Sequence, residues 1–473
     1  MTAATAGPGR LAASTRNLWL SQVAARFFRM AALFVAARLL GAATFGTFAL
    51  LLTVVELIAV SSGASYTDFL TREVAKSPAA SWRLALRVTQ MRWAYLVPIT
   101  GIALVVLKLL HFSPDLLRNT AVLSCSLFVR AAGESAQGVL KGLGHFRLLP
   151  ASELVRGVLS LVFTLILILS GYGLIGVIAA DIAATVGFAI FLAVATTRYV
   201  DVHNSTAFSF RQVARATFAF NVYPLIINVY DRIDVVLLAR LAGSVATGVY
   251  SLAYRAFSTL QIVPYGVMGA LLPGFSASRT DSDAQRRCSR AMKYLLLTAG
   301  MAVLLTASFA IPAVLLILGR DYAGSAIALK LLVWATVPAF MSHALNTLLL
   351  AAHKEKVFLW TATICTAFNI TANLIFIPRY SFVAAAVVTV LTEALLFMLN
   401  FYAITKYFGH PVLPEDGLTI TVIFAVCFAG WVGLGHFMPQ VWAGALACAV
   451  FAIYGMYAAQ GWQRFREIVG RPQ

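Results

Sequence analysis

Several charged side chains lie inside long apolar stretches of this sequence, where a charge needs either a function or a partner. In the first stretch Gln22, Arg26 and Arg29 stand at i, i+4 and i+7, which places them on one face of a helix. In a later stretch Arg130 and Glu134 are four residues apart, so they can form an ion pair. Guanidinium groups bind phosphate through a planar pair of donors that lysine lacks. These residues predict either a phosphate-binding site or salt bridges between helices.

Two further charges extend this first group of candidates. Glu56 lies in the second apolar stretch and Arg255 in the eighth, where Arg255 has Tyr and Gln neighbours suited to sugar hydroxyls. The functional hypothesis is a water-filled cationic cavity that binds an anionic substrate, and the alternative is a structural role in salt bridges. The predicted substrate-binding residues are Gln22, Arg26, Arg29, Glu56, Arg130, Glu134 and Arg255.

A second group of candidates carries mostly neutral oxygen atoms on the seventh, eleventh and twelfth apolar stretches. Its members are Asp231, Asp234, Asn369, Asn373, Thr389 and Glu393. A carboxylate together with amide and hydroxyl oxygens suits a hard cation such as Na⁺. A proton relay through Asp234 or Glu393 is one alternative, and interhelical hydrogen bonding by Asn and Thr is a purely structural one. We predict a cation-coupling site from this group.

The composition places these residues in a membrane protein. Of the 473 residues 60% are hydrophobic and 11% charged, whereas soluble globular domains are about half apolar and about a quarter charged. The same figures exclude a disordered chain. Lys and Arg number 36 against 18 Asp and Glu, an excess that would indicate nucleic-acid binding in a soluble chain. Here the cations lie mostly between apolar stretches, so we expect membrane lipids and no nucleic acid as partners.

Fourteen apolar stretches are each long enough to cross a bilayer, which takes about 20 residues. They lie at 17–40, 44–64, 88–109, 116–139, 150–170, 173–196, 213–239, 246–272, 291–317, 325–350, 356–377, 381–404, 417–437 and 440–461. Alternate loops receive most of the Lys and Arg, Arg92 among them, and the remaining loops carry only Lys108, Arg118, Arg240, Arg320 and Arg379. Since cationic loops stay cytoplasmic, both termini are predicted to be cytoplasmic.

The sequence contains an internal repeat. Residues 38–48 match 240–250, 202 positions later, and 172–181 match 380–389 more weakly, 208 positions later. Each offset covers six predicted spans, an even number, so both halves have the same orientation in the membrane. We therefore predict an all-α polytopic membrane protein of about 14 transmembrane helices. Its domains are two pseudo-symmetric six-helix lobes and two C-terminal helices, at 17–196, 213–405 and 417–461.

Several motifs together resemble one family of transporters. They are Leu39-Leu-Gly41 after the first span, Asp231-Arg-Ile-Asp234, Gly248-Val-Tyr250 and Leu272-Pro273-Gly-Phe-Ser276. The chain is similar along almost its whole length to the polysaccharide-transporter family of Wzx-type flippases, which is related to the lipid II flippase and the multidrug/toxin extruders. The resemblance implies movement of undecaprenyl-pyrophosphate-linked saccharides from the inner to the outer leaflet of the bacterial inner membrane.

The resemblance also implies a coupling ion. The lipid II flippase builds a sodium site from an Asp on its seventh span, two polar residues four apart on its eleventh, and a Thr on its twelfth. The residues that resemble those positions are Asp234, Asn369, Asn373 and Thr389. If the family's second residue on the eleventh span is Asp, Asn373 supplies one negative charge fewer, which weakens Na⁺ binding. We expect no cofactor, and either Na⁺ or H⁺ as the coupling ion.

The predicted function is a flippase, not an enzyme, that works by alternating access coupled to an ion or to the membrane potential. The alternatives are a cation-coupled multidrug or small-molecule exporter of the same superfamily, a membrane glycosyltransferase or polymerase, and a non-transporting assembly subunit. A cation exporter favours an acidic cavity, whereas the candidates here are mostly arginines. A glycosyltransferase needs a sizeable outer loop, and these loops are short. We expect a monomer whose partners are the lipid-linked saccharide, membrane lipids, and polysaccharide polymerase and export machinery.

Overall fold

A computed structural model of the chain describes residues 8–63, 66–78, 81–200, 210–276, 281–352 and 354–458, and these residues form helices and turns without any strand. The helices are α1 (Pro8–Ser61), α2 (Tyr66–Lys76), α3 (Ser81–Leu109), α4 (Pro114–Ser124), α5 (Ser126–Gly142), α6 (Leu148–Leu169), α7 (Gly173–Thr197), α8 (Phe210–Leu241), α9 (Gly243–Leu260), α10 (Ile262–Ser276), α11 (Asp281–Ile317), α12 (Ala323–Leu332), α13 (Thr336–Ala351), α14 (Glu355–Phe408), α15 (Gly417–Leu434) and α16 (Gln440–Ala458). Short 3₁₀ turns flank α12, at Arg320–Tyr322 and Val333–Ala335.

The long helices agree with a chain that crosses the membrane many times. In the described part of the chain, nine stretches are long and apolar enough to span a bilayer. Some of these stretches hold two helices joined at a bend, because α1 leaves helical geometry at Gly41 (φ 74°, ψ 166°) and α14 does so at Ser381 (φ 53°, ψ −137°). The all-α polytopic fold class is thereby confirmed, and the elements are compatible with fourteen spans.

The fourth predicted span, 116–139, is interrupted between α4 and α5. Next to the interruption the Ser124 hydroxyl donates to the carbonyl oxygen of Thr120 (2.7 Å). The Ser126 hydroxyl donates to the carbonyl oxygen of Leu123 at the same distance, 2.7 Å. Hydroxyl groups that bond to nearby backbone carbonyls in this way often bend helices. The interruption sets the direction of α5, which carries the charged candidates of this span.

The backbone repeats its irregular features in the two halves of the chain. The repeated pairs are Gly41/Gly243, His111/Gly319 and Gly173/Ser381, with φ values of 74°/85°, 58°/91° and 51°/53°. The first pair is 202 residues apart and the other two are 208 residues apart, which are the offsets of the sequence repeat. Since few non-glycine residues adopt positive φ, the coincidence at His111 and Ser381 is informative. The two halves are therefore pseudo-symmetric in local structure as well as in sequence.

Close packing divides the chain into two compact units, Met1–Gly248 and Val249–Gln473. The boundary between them lies inside α9, so α8 belongs to the first unit. The predicted lobes, in contrast, are separated between 196 and 213. The exact limits of the six-helix lobes therefore stay a prediction of the sequence.

The first unit contains an amphipathic helix, α2, that the predicted spans do not include. Its residues Tyr66, Leu70 and Val74 are buried in a core shared with α3 and α5. Two glycines of α5 make room for it, since a Cβ atom at Gly138 would lie 3.0 Å from the Leu70 side chain and one at Gly142 would lie 2.8 Å from Val74. The apolar face of α2 thus holds this helix against α5, close to the charged residues of α5.

α1 and the beginning of α9 cross in close contact inside the first unit. A Cβ atom added at Gly46 would overlap the carbonyl oxygen of Ser244, and one added at Gly248 would overlap the carbonyl oxygen of Ala42. Gly46 and Gly248 are 202 residues apart, and so are Ala42 and Ser244, so the contact is reciprocal between the two repeats. We call these four residues the glycine crossing.

The second unit has one core on α11, α13 and α14 and another that includes the C-terminal helices. Leu295, Phe340, Leu345 and Ile404 are fully buried in the first of these cores. Aromatic rings join α15 to the 3₁₀ turn before α13: the ring centroids of Trp334 and Phe428 are 5.4 Å apart. Stacked and edge-on aromatic contacts at such distances add to the stability gained from burial. The two C-terminal helices are therefore packed parts of the second unit.

Candidate functional site

The charged residues of α5 belong to a network of ion pairs in the first unit. Arg130 donates from Nε to Glu134 Oε1 (2.8 Å) and from Nη1 to Glu56 Oε1 on α1 (2.7 Å). Arg92 on α3 donates from Nη2 to the other oxygen of Glu134, Oε2 (2.6 Å). We call Glu56, Arg92, Arg130 and Glu134 the ion network. It joins three helices, and it confirms the Arg130–Glu134 pair that the i, i+4 spacing predicts.

The ion network is largely shielded from solvent. The side chain of Arg92 is 4% exposed, that of Arg130 19% and that of Glu134 21%. Charges removed from water in this way need well-oriented partners of opposite sign. Two carboxylates balance the charge of Arg130, so the structural alternative explains its burial. A role for Arg130, Glu134 and Glu56 in substrate binding stays a prediction.

A cavity of about 240 Å³ lies beside the ion network. We call it the polar cavity; its wall includes Ala59, Thr67, Arg92, Arg130, Glu134 and Gln137. These residues come from α1, α2, α3 and α5, all of which belong to the first unit. The cavity therefore exists because α2 is held over α5 and closes the space between α1, α3 and α5.

Positive charge exceeds negative charge around Glu56. The guanidinium groups of Arg156 on α6 and Arg232 on α8 act electrostatically on the Glu56 carboxylate, in addition to the Arg130 guanidinium. Asp231 interacts with Arg232 in turn, so together with the ion network this makes four arginines and three acidic residues, an excess of one positive charge. The Arg156 guanidinium also lies 5.7 Å from the ring centre of Phe188. Such a region attracts anions more strongly than the ion network alone would.

The other predicted substrate-binding residues lie elsewhere. Arg29 on α1 forms an ion pair with Glu153 on α6, with 3.2 Å between Nη1 and Oε2. Gln22 and Arg26 lie on α1, but their side chains fall outside the described residues. Arg255 lies on α9 in the second unit and is half-buried. Among the predicted residues, the structure thus brings Glu56, Arg130 and Glu134 together directly.

Sequence reasoning missed three arginines of this region. It placed Arg92 with the loop cations, although this residue stands four positions inside the predicted third span, 88–109. An arginine inside a span is the same signal that selects Arg130 as a candidate, so Arg92 was detectable. Arg156 is not among the predicted site residues, and Arg232 enters the prediction only within the motif Asp231-Arg-Ile-Asp234. The fold gives these arginines a shared neighbourhood that spacing along the chain does not reveal.

Asp231 and Asp234 of the predicted cation-coupling group lie on α8 in the first unit. Asp234 is 2% exposed, and its Oδ1 accepts a hydrogen bond from the backbone N–H of Val235 (2.7 Å). Asp231 is half-buried and interacts electrostatically with Arg232. A buried carboxylate in a membrane span is expensive to maintain, which keeps Asp234 a candidate for ion coupling.

The amide and hydroxyl candidates form hydrogen bonds in the second unit. Asn373 donates from Nδ2 to Asn369 Oδ1 (2.9 Å), and Asn369 donates from Nδ2 to Thr392 Oγ1 (3.3 Å). The Thr389 hydroxyl lies 3.0 Å from the Tyr250 hydroxyl. The Oδ1 atom of Asn373 is buried and has no hydrogen-bond partner in the part of the chain that the structure describes. These contacts link the two halves of α14 as the structural alternative predicts, and they leave one buried acceptor oxygen.

A sodium site from these residues stays a prediction. Asp234 belongs to the first unit, whereas Asn369, Asn373, Thr389 and the half-buried Glu393 belong to the second. Within the described residues no group of three His, Cys, Asp or Glu side chains is placed to hold a metal ion.

Solved structures with this fold are membrane transporters. The chain is similar to the lipid II flippase MurJ in an inward closed conformation, with a TM-score of 0.68 and 14% identity over 97% of this chain and 99% of that chain. It is similar to an inward-facing multidrug resistance MATE family transporter of the MOP superfamily, with a TM-score of 0.65 and 14% identity over 83% and 94%. An outward-facing transporter of the same description gives 0.56 and 14% over 82% and 95%. The fold is that of the MOP-superfamily transporters and flippases.

The chain belongs to the polysaccharide biosynthesis protein family, which matches residues 11–279, more than half of its length. A second family, MatE, matches residues 222–375. The comparison with curated proteins gives no match. The family resemblance drawn from the sequence motifs is confirmed. The matched residues 11–279 include the whole ion network and the polar cavity.

Proposed function

We propose that the protein is a flippase that moves undecaprenyl-pyrophosphate-linked oligosaccharide, the repeat unit of a surface polysaccharide, from the cytoplasmic to the periplasmic leaflet. The observation that carries this proposal is the polysaccharide biosynthesis family match, because residues 11–279 include every charged residue of the ion network. The transporter fold supports movement of a substrate rather than its chemical conversion. In this proposal the chain lies in the bacterial inner membrane with both termini in the cytoplasm.

The charge distribution supports an anionic headgroup as the cargo. The excess of positive charge around Glu56 suits a pyrophosphate, since guanidinium groups form strong charge-assisted hydrogen bonds to phosphate oxygens. In the proposed mechanism Arg26 and Arg29 of the first unit bind the pyrophosphate, and Arg255 of the second unit is a further predicted binding residue. The prenyl tail stays in the lipid throughout, because burying it in protein would gain little over the bilayer.

The membrane potential favours this direction of movement. Moving one elementary charge through 100 mV changes the free energy by about 2.3 kcal/mol. An inside-negative potential therefore expels an anionic headgroup when the protein opens alternately to the two sides. Inward movement of Na⁺ or H⁺ at the second group of candidates then returns the empty carrier.

Deleting the gene is expected to leave undecaprenyl-linked saccharide on the cytoplasmic leaflet and to abolish the surface polysaccharide. Complementation with Arg26→Ala or Arg29→Ala is expected to restore polysaccharide about tenfold less well than the wild-type chain, because a hydrogen bond to a charged group contributes about 1.5–3 kcal/mol. Quantitative mass spectrometry of extracted lipids and a surface-glycan immunoassay measure the two effects.

Arg118→Ala is the matched control for these arginine variants. Arg118 pairs with Asp115 at 3.2 Å, but both side chains are exposed, 68% and 79%, so the pair contributes little. We expect full complementation by this control. Full rescue by both Arg26→Ala and Arg29→Ala would contradict the assignment of the binding residues. Normal surface polysaccharide in the deletion strain would contradict the proposed function itself.

A cation-coupled multidrug exporter is the second candidate function. The MatE match over residues 222–375 favours it, and the similarity to multidrug resistance transporters extends over most of the chain. The cation excess around Glu56 opposes it, because cationic drugs need an acidic cavity. Altered export of cationic dyes from a deletion strain with normal polysaccharide would decide for the exporter.

Asp234→Asn is expected to abolish any stimulation of transport by Na⁺ in proteoliposomes, because it removes the buried carboxylate while keeping the size of the side chain. The measurement is the rate of lipid translocation with and without a Na⁺ gradient, detected with a reagent that reaches only the outer leaflet. Asp115→Asn, at an exposed carboxylate, is the control. Undiminished Na⁺ stimulation in Asp234→Asn would remove this residue from the coupling site.

A further inference from the structure

The polar cavity shares three charged residues with the ion network and adds neutral polar groups. Its wall combines the guanidinium groups of Arg92 and Arg130 with the Glu134 carboxylate, the Gln137 amide and the Thr67 hydroxyl. Both guanidinium groups are already paired with Glu134. Since these guanidinium groups already contact a carboxylate, the neutral amide and hydroxyl beside them suit an uncharged polar guest.

Arg92 has hydrogen-bonding capacity that the ion network does not use. Its side chain is 4% exposed, and its Nε and Nη1 atoms are buried without a partner among the described residues. Buried donors of this kind are unfavourable unless an acceptor reaches them. Nε and Nη1 donate along different edges of the planar guanidinium, so a single carboxylate or phosphate cannot satisfy both by a two-oxygen contact. Satisfying both donors takes two separate acceptor atoms and a small movement of the cavity wall, because neither donor is exposed in the structure as it stands.

Size and chemistry together indicate what kind of guest fits. At about 30 Å³ for each water molecule, 240 Å³ corresponds to about eight waters. This is below the roughly 300–1,000 Å³ of pockets for drug-sized ligands, so the cavity suits a single ring-sized group. Hydroxyl groups both donate and accept hydrogen bonds, which matches a wall that contains donors and acceptors side by side.

We propose that the polar cavity is a saccharide subsite that receives one sugar ring of the cargo, with Arg92 and Gln137 as its hydrogen-bonding residues. This inference rests on the proposed function and separates the sugar contacts from the phosphate contacts. Arg92 stands four residues after the first residue of the predicted third span, 88–109, which is about 6 Å of helix rise. The subsite therefore lies near that end of the span.

Two variants test the subsite without touching a charge. Gln137→Leu removes a donor and an acceptor from the wall, and Ala59→Leu fills part of the cavity. Gln90→Leu, at an exposed position of α3, is the matched control. The full-length proteins in nanodiscs are titrated with two probes: undecaprenyl pyrophosphate, and the undecaprenyl-linked saccharide extracted from the deletion strain. Native mass spectrometry measures both affinities.

We expect Gln137→Leu and Ala59→Leu to bind the saccharide-bearing lipid about tenfold more weakly and undecaprenyl pyrophosphate as tightly as the wild type does. The control should match the wild type with both probes. An equal loss with both probes, or no loss with either, would overturn the subsite. If Ala59→Leu fails to fold, Gln137→Leu decides alone. Failure of the wild type to bind either probe would instead refute the proposed function.

Discussion

Replacing Glu134 by alanine is expected to lower the stability of the protein by about 3–5 kcal/mol, which is the usual cost of removing one partner from a buried ion pair. Glu134 accepts hydrogen bonds from both Arg92 and Arg130, so its loss leaves two arginines short of a partner. The loss of this partner affects Arg92 most, because its side chain is 4% exposed and has no other ion pair among the described residues. Glu134→Gln keeps an acceptor oxygen and isolates the effect of the charge.

Thermal unfolding of the purified protein in detergent, followed by size-exclusion chromatography, measures this effect. Glu73→Ala is the matched control: Glu73 pairs with Lys76 at 2.7 Å, but the lysine is 69% exposed, and such pairs contribute about 1 kcal/mol or less. An unfolding temperature of Glu134→Ala equal to that of the wild type would show that the ion network contributes nothing to stability.

A double variant separates the charge from the packing. Arg92→Met combined with Glu134→Leu removes one buried charge of each sign and leaves apolar side chains of similar length. Buried ion pairs replaced in this way often retain or gain stability. We expect the double variant to unfold at a higher temperature than Glu134→Ala, although the retained Arg130 then depends on Glu56 alone.

The membrane-spanning elements were predictable because lipid imposes a simple requirement. A helix in a bilayer must be apolar over its whole length and must satisfy its own backbone hydrogen bonds, so hydropathy alone reveals it. Even the bend at Gly41 falls at a break between predicted spans, 17–40 and 44–64. The bend at Ser381 likewise falls at the break between predicted spans 356–377 and 381–404, and the repeat relates it to Gly173.

The ion network was predictable only where its partners share a helix. Arg130 and Glu134 are one turn apart, so their spacing reveals the pair. Arg92 and Glu134 are 42 residues apart, and Glu56 and Arg130 are 74 residues apart. Those pairs arise from the packing of α1, α3 and α5, which a single sequence does not specify. The sequence therefore predicts the Arg130–Glu134 pair but not the contacts with Glu56 and Arg92.

The sequence of α2 contains an amphipathic pattern that the prediction of membrane spans does not include. Tyr66, Leu70 and Val74 repeat every four residues, which is typical of an amphipathic helix. Its 11 residues are too few to cross a bilayer, so a search for spans passes over it. α2 supplies Thr67 to the wall of the polar cavity. A prediction that omits α2 therefore cannot locate this cavity.

Gly46→Ala and Gly248→Ala are each expected to destabilise the protein by about 1–3 kcal/mol or more, the range for forced overpacking. A Cβ atom at Gly46 would overlap the Ser244 carbonyl oxygen and lie 2.8 Å from the backbone nitrogen of Gly248. In the reciprocal variant the added atom would overlap the Ala42 carbonyl oxygen. Backbone atoms cannot rotate away as a side chain does, so α1 and α9 would have to separate at the glycine crossing.

Gly101→Ala is the control for the glycine crossing, because nothing lies within 4 Å of a Cβ atom at this position of α3. Alanine is favoured over glycine inside a helix by about 0.5–1 kcal/mol, so the control should be slightly more stable than the wild type. The expected changes in stability at the glycine crossing and at Gly101 have opposite signs, so thermal unfolding distinguishes them clearly. If Gly46→Ala also gained stability, the two helices would not approach as closely as the reciprocal contact requires. This result would contradict the close contact between the two repeats at the glycine crossing.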